Sequence, residues 1–347
     1  MIKKSLKDIS WLVSEKKYRD DPAYSYSTIA KFDREGFDKL SNLFDKTESP
    51  SLLFGSCVDT LLTDGQEAFD ERFFVADFPE ISDNVKKIVD ILFVNYSGTY
   101  NNMDEIPNKI ILPIIDEQAY QTNWKPETRC KVIKEKGCEY YGLKYLASDK
   151  TIITTALYQD VLDCVDVLKT SEATKWYFMD DNPFDDIERL YQLKFKGEYE
   201  GIDLRIMADE IIVNHDTKEI IPCDLKTTKS VLSFNHSFYQ WRYYIQAQLY
   251  SYILQQVIEK DDYFKDFTIS DYKFIAIDKY LKYPVVYSYN GNFRGTSLIN
   301  DEGEEKENWR SIVKQLDWYL KHPECVIYKE MLKEIEATGE VRIKQYE

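Results

Sequence analysis

"RLYQLKFKGEYEGIDLRIMADEIIVNHDTKEIIPCDLKTT", residues 189–228, holds three runs rich in β-branched and aromatic residues, separated by "KGEYEG" and "NHDTKE". Runs of this kind bounded by turn-forming residues read as strands joined by tight connections. The spacing predicts strands near 189–196, 202–213 and 219–226. Asp209 falls in the second and Asp224 near the end of the third, so two neighbours of a meander carry carboxylates that can converge. Lys226 stands two residues beyond Asp224, and period-two alternation puts both side chains on one face of the strand. An acid and a lysine so spaced are also common as a solvated surface pair. Here "IIP" precedes and "TT" follows, which places the pair where a buried strand leaves the core. Hard oxygen ligands of this kind suit Mg²⁺ or Mn²⁺, and a nearby lysine can orient or help deprotonate a water, or stabilise developing negative charge. No glycine-rich phosphate loop accompanies them.

Downstream, "SFYQWRYYIQAQLYSYILQQVIEK" puts Tyr243, Gln246, Ala247, Tyr250 and Leu254 on one helical face, with Gln246 and Tyr250 turned to the same place. "DYKFIAIDKY" and "PVVYSYN" read as two further strands, "NDEGEEKEN" as an acidic loop and "WRSIVKQLDWYLK" as a last helix before a charged tail. Upstream, "YSYSTIAKFDREGFDKLSNLF" reads as a capped helix. The segment "SPSLLFGSCVDTLLTD" reads as a helix that carries Asp59, with Gly55 permitting close packing. Residues 80–150 read as irregular, with Pro107, Pro113 and Pro126, and residues 151–178 as helical. The whole predicts an α/β (α+β) fold with a central mixed β-sheet flanked by helices. It is expected as a single domain over 1–347: a core at about 50–290, an insertion at about 80–150, and a C-terminal helix with charged tail at 303–347.

The chain has 347 residues, 44% hydrophobic and 31% charged, with a formal charge of -16. That charge argues against a non-specific nucleic-acid coat protein but not against a nucleic-acid enzyme, which can keep a local basic track. From Lys125 to Lys150 there are seven Lys or Arg against four Asp or Glu, a locally positive stretch. Together with Lys194, Lys196, Arg205 and Arg242 it is a candidate DNA track, and Tyr239, Trp241, Tyr243 and Tyr244 are candidate base-stacking residues, although such residues also serve as surface lysines and core aromatics. Six scattered cysteines without a C-x-x-C pair argue against structural zinc. No apolar run long enough to span a bilayer and no signal-peptide pattern are visible, so a cytoplasmic location is expected.

"MAD" before "EIIV", then "PCDLKTT", then "QAQLY" resemble the PD-(D/E)XK nucleases, in the branch of RecE-like exonucleases, RecB nuclease domains and lambda exonuclease. "LLFGSCVDTLLTD" is similar to that branch's first-helix segment G-T-x-x-H, and "YSYSTIAKFDREGFDKL" to the opening of phage RecE-like proteins, so the resemblance covers about residues 25–290. It implies a restriction-endonuclease-like core and metal-dependent hydrolysis of DNA, with Mg²⁺ or Mn²⁺ as cofactor. Carried over, Asp209 and Asp224 are metal-binding carboxylates, the Leu225 carbonyl a further ligand, and Lys226 the catalytic lysine. Gln246 and Tyr250 match the family's Q-x-x-x-Y, with Thr227 and Arg242 as further substrate contacts. Asp59 stands where the family carries a histidine; an aspartate also binds a hard cation, and Glu188 and Glu198 are spare ligands on the first strand. The resemblance implies linear duplex DNA as substrate, a phage-type recombination role, a single-strand annealing partner and a ring-shaped homo-oligomer. Alternatives are a structure-specific endonuclease, an RNA-acting nuclease, or an inactive DNA-binding or assembly protein with the same fold.

Overall fold

A computed structural model describes residues 3–45, 49–180, 186–292, 295, 297–300, 303–323 and 337–340. The chain divides into two compact units, Met1–Asp59 with Cys164–Glu347, and Thr60–Asp163.

The larger unit is a mixed α/β structure. Its elements are helices α1 (Tyr26–Glu35) and α2 (Pro50–Asp59), strands β1 (Ile187–Tyr199), β2 (Ile202–Asn214) and β3 (Glu219–Thr227), helices α3 (Phe234–Gln240) and α4 (Tyr243–Ile258), strands β4 (Thr268–Ile269), β5 (Tyr272–Ile277) and β6 (Val285–Tyr289), and helix α5 (Trp309–Lys321). The sheet runs β1-β2-β3-β5-β6, with β4 also paired to β3. Strands β1, β2 and β3 form the antiparallel meander expected from their spacing, whereas β3 pairs in parallel with both β4 and β5. A parallel pair needs a crossover connection, and α3 and α4 supply it. Pro222 sits inside β3 without breaking the sheet. On its parallel side β3 pairs through Glu219 and Ile220 with β4 and through Cys223 to Thr227 with β5, so the missing proline N–H falls in the interval between the two partners.

One core joins the sheet to its helices. Leu193, Phe195, Leu204, Ile206, Ile211, Val213 and Ile220 from the strands pack with Tyr244, Ala247, Leu249, Ile253 and Leu254 of α4 and Trp309, Ile312 and Leu316 of α5. Each buried aliphatic or phenyl side chain contributes roughly 1.5–3 kcal/mol. The acidic segment expected as a loop is in part a hairpin, because Glu305–Glu307 pairs with Ser297–Ile299.

The smaller unit corrects two expectations. Residues 80–150 are largely helical rather than irregular, with helices at Asp83–Tyr96, Asn108–Glu117 and Pro126–Ala147. The prolines fit them: Pro107 is an N-cap and Pro126 a first-turn residue, where a missing N–H costs nothing, and only Pro113 lies inside a helix. The expected helix from 151 begins later and ends earlier, at Thr155–Thr170. Thr151–Ile153, all three of whose residues are β-branched, instead pairs in parallel with Phe73–Val75, as β-branched residues favour. No helix among the described residues is long and apolar enough to cross a membrane.

Candidate active site

The site begins with a fault in strand alternation. On β2 the core side chains are Leu204, Ile206 and Ala208, then Ile211 and Val213, so the phase changes around Asp209 and Glu210. On β1 the same change separates Leu190 from Leu193 and Phe195. There Gln192 adopts φ 54°, left-handed backbone that a side-chain-bearing residue rarely takes inside a strand. The register is unbroken across the fault, with Tyr191 opposite Glu210 and Leu193 opposite Ala208, so Gln192 and Asp209 face each other across it. After the change of phase Asp209 is in step with Ile211 and Val213. A carboxylate is thereby turned to the side of the sheet that otherwise carries apolar residues.

Strand β3 brings the second acid. Its pairing with β2 ends at Glu210 and Cys223, and one step further the same register sets Asp209 opposite Asp224. Asp224 is 1% exposed. Its Oδ2 is ion-paired with the Lys226 ammonium, as alternation requires of two residues on one strand face, and its Oδ1 accepts a hydrogen bond from the Gln246 side-chain amide on α4. Asp209 Oδ2 accepts the Leu225 backbone N–H at 3.2 Å. Burial pushes the Asp209 pKa well above the usual carboxylate range, the charges of Asp224 and Asp59 push it further, and Lys226 only partly opposes them.

For Lys226 the balance has the opposite result. Burial works against its charged form, but Asp224, Tyr243 and Asp209 outweigh it, and the pKa rises above that of an ordinary lysine. The ammonium also stands 4.7 Å from the centre of the Tyr243 ring, a cation–π contact that favours the protonated state. Tyr26, whose hydroxyl donates to the Trp241 carbonyl at 2.8 Å, feels the Lys226 charge, and burial raises its own pKa. Tyr250 is buried against Tyr272, and its hydroxyl pKa is raised by burial and by Tyr18, Asp224 and Asp209. The helix that carries Gln246 and Tyr250 therefore borders the acids.

Asp59 arrives on the last turn of α2. The Gln192 side-chain amide donates to both its oxygens, at 3.1 Å and 3.4 Å. Gly55, one helical turn earlier, lets α2 come this close, since a Cβ there would lie 2.8 Å from Thr227 Oγ1 at the end of β3. Asp59 acts on Asp209 through its charge, yet among the described residues no group of three or more His, Cys, Asp or Glu side chains is placed to hold a metal ion. The close constellation is therefore Asp209, Asp224, Lys226 and Gln246, with Asp59 reached through Gln192.

Several other candidates lie elsewhere or are engaged elsewhere. Arg242 pairs with Asp33 and donates to the Tyr239 and Gln240 carbonyls at 2.8 Å and 3.2 Å, tying α1 to the start of α4. Glu188 accepts from Ser5 at 2.5 Å and sits 3.5 Å from His215, and Glu198 is exposed near the far tip of β1. Lys196 pairs with Asp21, Arg205 holds the carbonyls of Tyr18, Arg19 and Asp21, and Lys194 donates to the Gln192 carbonyl at 3.3 Å. Of the basic 125–150 stretch, Arg129 pairs with Asp116 and Lys144 with Asp90. Among the proposed stacking aromatics, Tyr244 is fully buried and Trp241 is 44% exposed. A cavity of about 1070 Å³ lined by Gln248, Tyr252, Arg310 and Trp318 holds none of the acids of the cluster.

Gln192 and Tyr26 were not marked by the sequence as site residues. A signal for Gln192 exists in "LYQLKF", where Leu190 and Leu193 lie three apart instead of two. Tyr26 has none, because only the packing of α1 brings it near Lys226.

No family model matches the sequence, and no curated protein matches it. Among solved structures the chain is similar to a candidate exonuclease from Eubacterium rectale, at 13% sequence identity and a TM-score of 0.44, with 97% of each chain covered. The functional reading rests on the geometry of the acid–lysine cluster.

Proposed function

We propose that the chain is a metal-dependent deoxyribonuclease that hydrolyses phosphodiester bonds of linear duplex DNA from its ends, in a phage-type recombination or repair role. The observation that carries this reading is the packing of Asp209 against Asp224 beside Lys226. Asp209 and Asp224 stand opposite each other on neighbouring strands, Asp224 is buried, and the charge of each opposes ionisation of the other; a divalent cation is the partner that offsets this repulsion. The donor set fits Mg²⁺ or Mn²⁺: such ions take one or two carboxylates and complete their shell with water and substrate phosphate. Asp209 and Asp224 would hold the ion, with the Leu225 carbonyl as a third donor. The bound ion would supply Lewis acidity at the scissile phosphate and lower the pKa of a water.

The chain's own residues have separable roles in this reading. Lys226, whose pKa is raised against burial by Asp224 and its other neighbours, orients or activates the attacking water or stabilises the charge that builds on phosphorus oxygens. Gln246 fixes the rotamer of Asp224 through its amide. Gln192 holds Asp59 back from the pair, so that Asp59 tunes the charge around Asp209 from its own place. In a chain of net charge -16, a bound cation should raise DNA affinity at the acid pair itself. A ring-shaped assembly and a single-strand annealing partner belong to this proposal by the sequence resemblance alone.

End-labelled linear duplex and covalently closed circular DNA, each with Mg²⁺, Mn²⁺ or EDTA, test it. Loss of the end label with the circle intact, abolished by EDTA, is the expected result. Equal loss of the circle would make the chain an endonuclease, and no cleavage of any DNA or RNA would leave the binding or assembly role.

A further inference from the structure

The connection from β5 to β6 reads "DKYLKYP", residues 278–284. It exposes large apolar side chains: Tyr280 is 73% exposed, Leu281 59% and Tyr283 65%, and Leu232 in the adjacent turn is 83% exposed. Lys279 and Lys282 interleave the aromatics, and residues 279–283 contain no acid, in a chain of net charge -16. The loop is held in shape. Asp278, 1% exposed, accepts the backbone N–H groups of Tyr280 at 3.0 Å, Leu281 at 2.6 Å and Val231 at 3.1 Å. Its exposed rings therefore stand on a fixed base.

Its position follows from strand direction. β3 and β5 run parallel, with Lys226 opposite Ala276 and Thr227 opposite Ile277, so both leave the sheet at the same edge. The loop starts two residues past Ile277, roughly 7 Å of extended chain beyond it. In open α/β sheets ligands bind outside the carboxyl ends of strands, which is where this loop and the acid–lysine pair both lie.

We infer that the 279–283 loop is a docking element for an unpaired nucleic-acid strand, with Tyr280 and Tyr283 stacking on bases and Lys279 and Lys282 meeting phosphates. The inference rests on the nuclease reading for the class of ligand. Alternating lysines and aromatic rings match the alternation of phosphates and bases along a single strand, which a purely apolar contact between copies of the chain would not need. Phosphates are also the partner that a positive loop on an acidic protein selects.

The test uses the full chain in EDTA, so that binding is read without cleavage, with a fluorescein-labelled 12-nucleotide single-stranded DNA and the matching blunt duplex as probes in anisotropy titrations. Replacing both tyrosines (Tyr280→Ala with Tyr283→Ala) is expected to weaken single-strand binding at least about tenfold and duplex binding much less. Replacing both lysines (Lys279→Ala with Lys282→Ala) is expected to lower the slope of log affinity against log salt by about 1.4. Wild-type affinity and slope in both variants would overturn the inference. Wild-type affinity combined with loss of self-association in sedimentation would overturn it in favour of a contact between copies. Binding that maps to the loop in a chain that cleaves nothing would uphold the inference while the nuclease reading fails.

Discussion

The β1–β2 ladder buries ionisable groups at two places, and they obey opposite rules. At one end His215 packs among Tyr263, Phe264 and Phe267, with its Nδ1 3.0 Å from the Tyr263 hydroxyl and its Nε2 3.5 Å from Glu188. Acid faces base there, and aromatic rings pack around the imidazole. Toward the middle, Asp209 faces Asp224 with Asp59 beyond, acid against acid, beside one lysine. A cluster that only stabilised the fold would be arranged like the first. The second is maintained against its own repulsion and against strained backbone at Gln192, and unfavourable local arrangements of this kind concentrate at functional sites.

Substitution at the acid pair should produce the largest effect. Asp224→Asn keeps the shape and one oxygen for the Gln246 amide, yet removes a charge from the proposed cation site, so the proposed metal-dependent cleavage should fall about 1000-fold or more while far-UV circular dichroism stays that of wild type. Retained activity would mean that the two places do not differ in function. Lys226→Ala comes next, with an expected loss of about 100- to 1000-fold in kcat and a smaller change in KM, because in the proposed mechanism the ammonium acts on the transition state more than on bound substrate. A change confined to KM would reassign Lys226 to substrate binding.

The pH dependence of stability sharpens the comparison, because the two places carry opposite slopes. Asp209 has a raised pKa in the folded state, so the stability it contributes is present below the unfolded value near 4 and is lost as pH rises through the folded pKa. His215 has a pKa lowered by burial and by Lys3, against Glu188, so its contribution is present above the unfolded value near 6.5 and is lost as pH falls below it. In EDTA, Asp209→Asn should therefore flatten the fall in Tm toward alkaline pH, His215→Gln should flatten the fall toward acid, and Mg²⁺ should raise Tm at pH 8 only where Asp209 is present. Identical pH profiles for the two variants would remove the distinction.

The smallest effect is expected at Gly55→Ala. The new methyl meets Thr227 Oγ1, which can rotate, so destabilisation should stay near about 1 kcal/mol in denaturant titration, with a measurable change in cleavage as α2 carries Asp59 away from β3. Unchanged cleavage would show that Asp59 takes no part.

The strands were legible because their signal is local. Runs expected near 189–196, 202–213 and 219–226 occupy 187–199, 202–214 and 219–227, and the helix holding Gln246 and Tyr250 spans 243–258. Residues 80–150 misled because prolines suit helix starts as well as loops, and position relative to a cap cannot be read from proline content. Arg242 could not be placed from sequence for another reason: a cation beside the site can serve DNA or a neighbouring carboxylate, and only packing shows that it pairs with Asp33.

By itself the sequence determined the meander, the placement of Asp224 and Lys226 on one strand face, and the approach of Gln246 and Tyr250, since each follows from a period of two or of 3.6 residues. Only the tertiary structure decided that Asp209 turns toward Asp224. That depends on the paired fault at Gln192 and Asp209, and a change of phase shared by two strands is a property of the ladder and not of either strand alone. The tertiary structure likewise held Asp59 on the Gln192 amide and set the 279–283 loop at the edge where β3 and β5 end, because helix packing and parallel pairing join residues far apart in the chain.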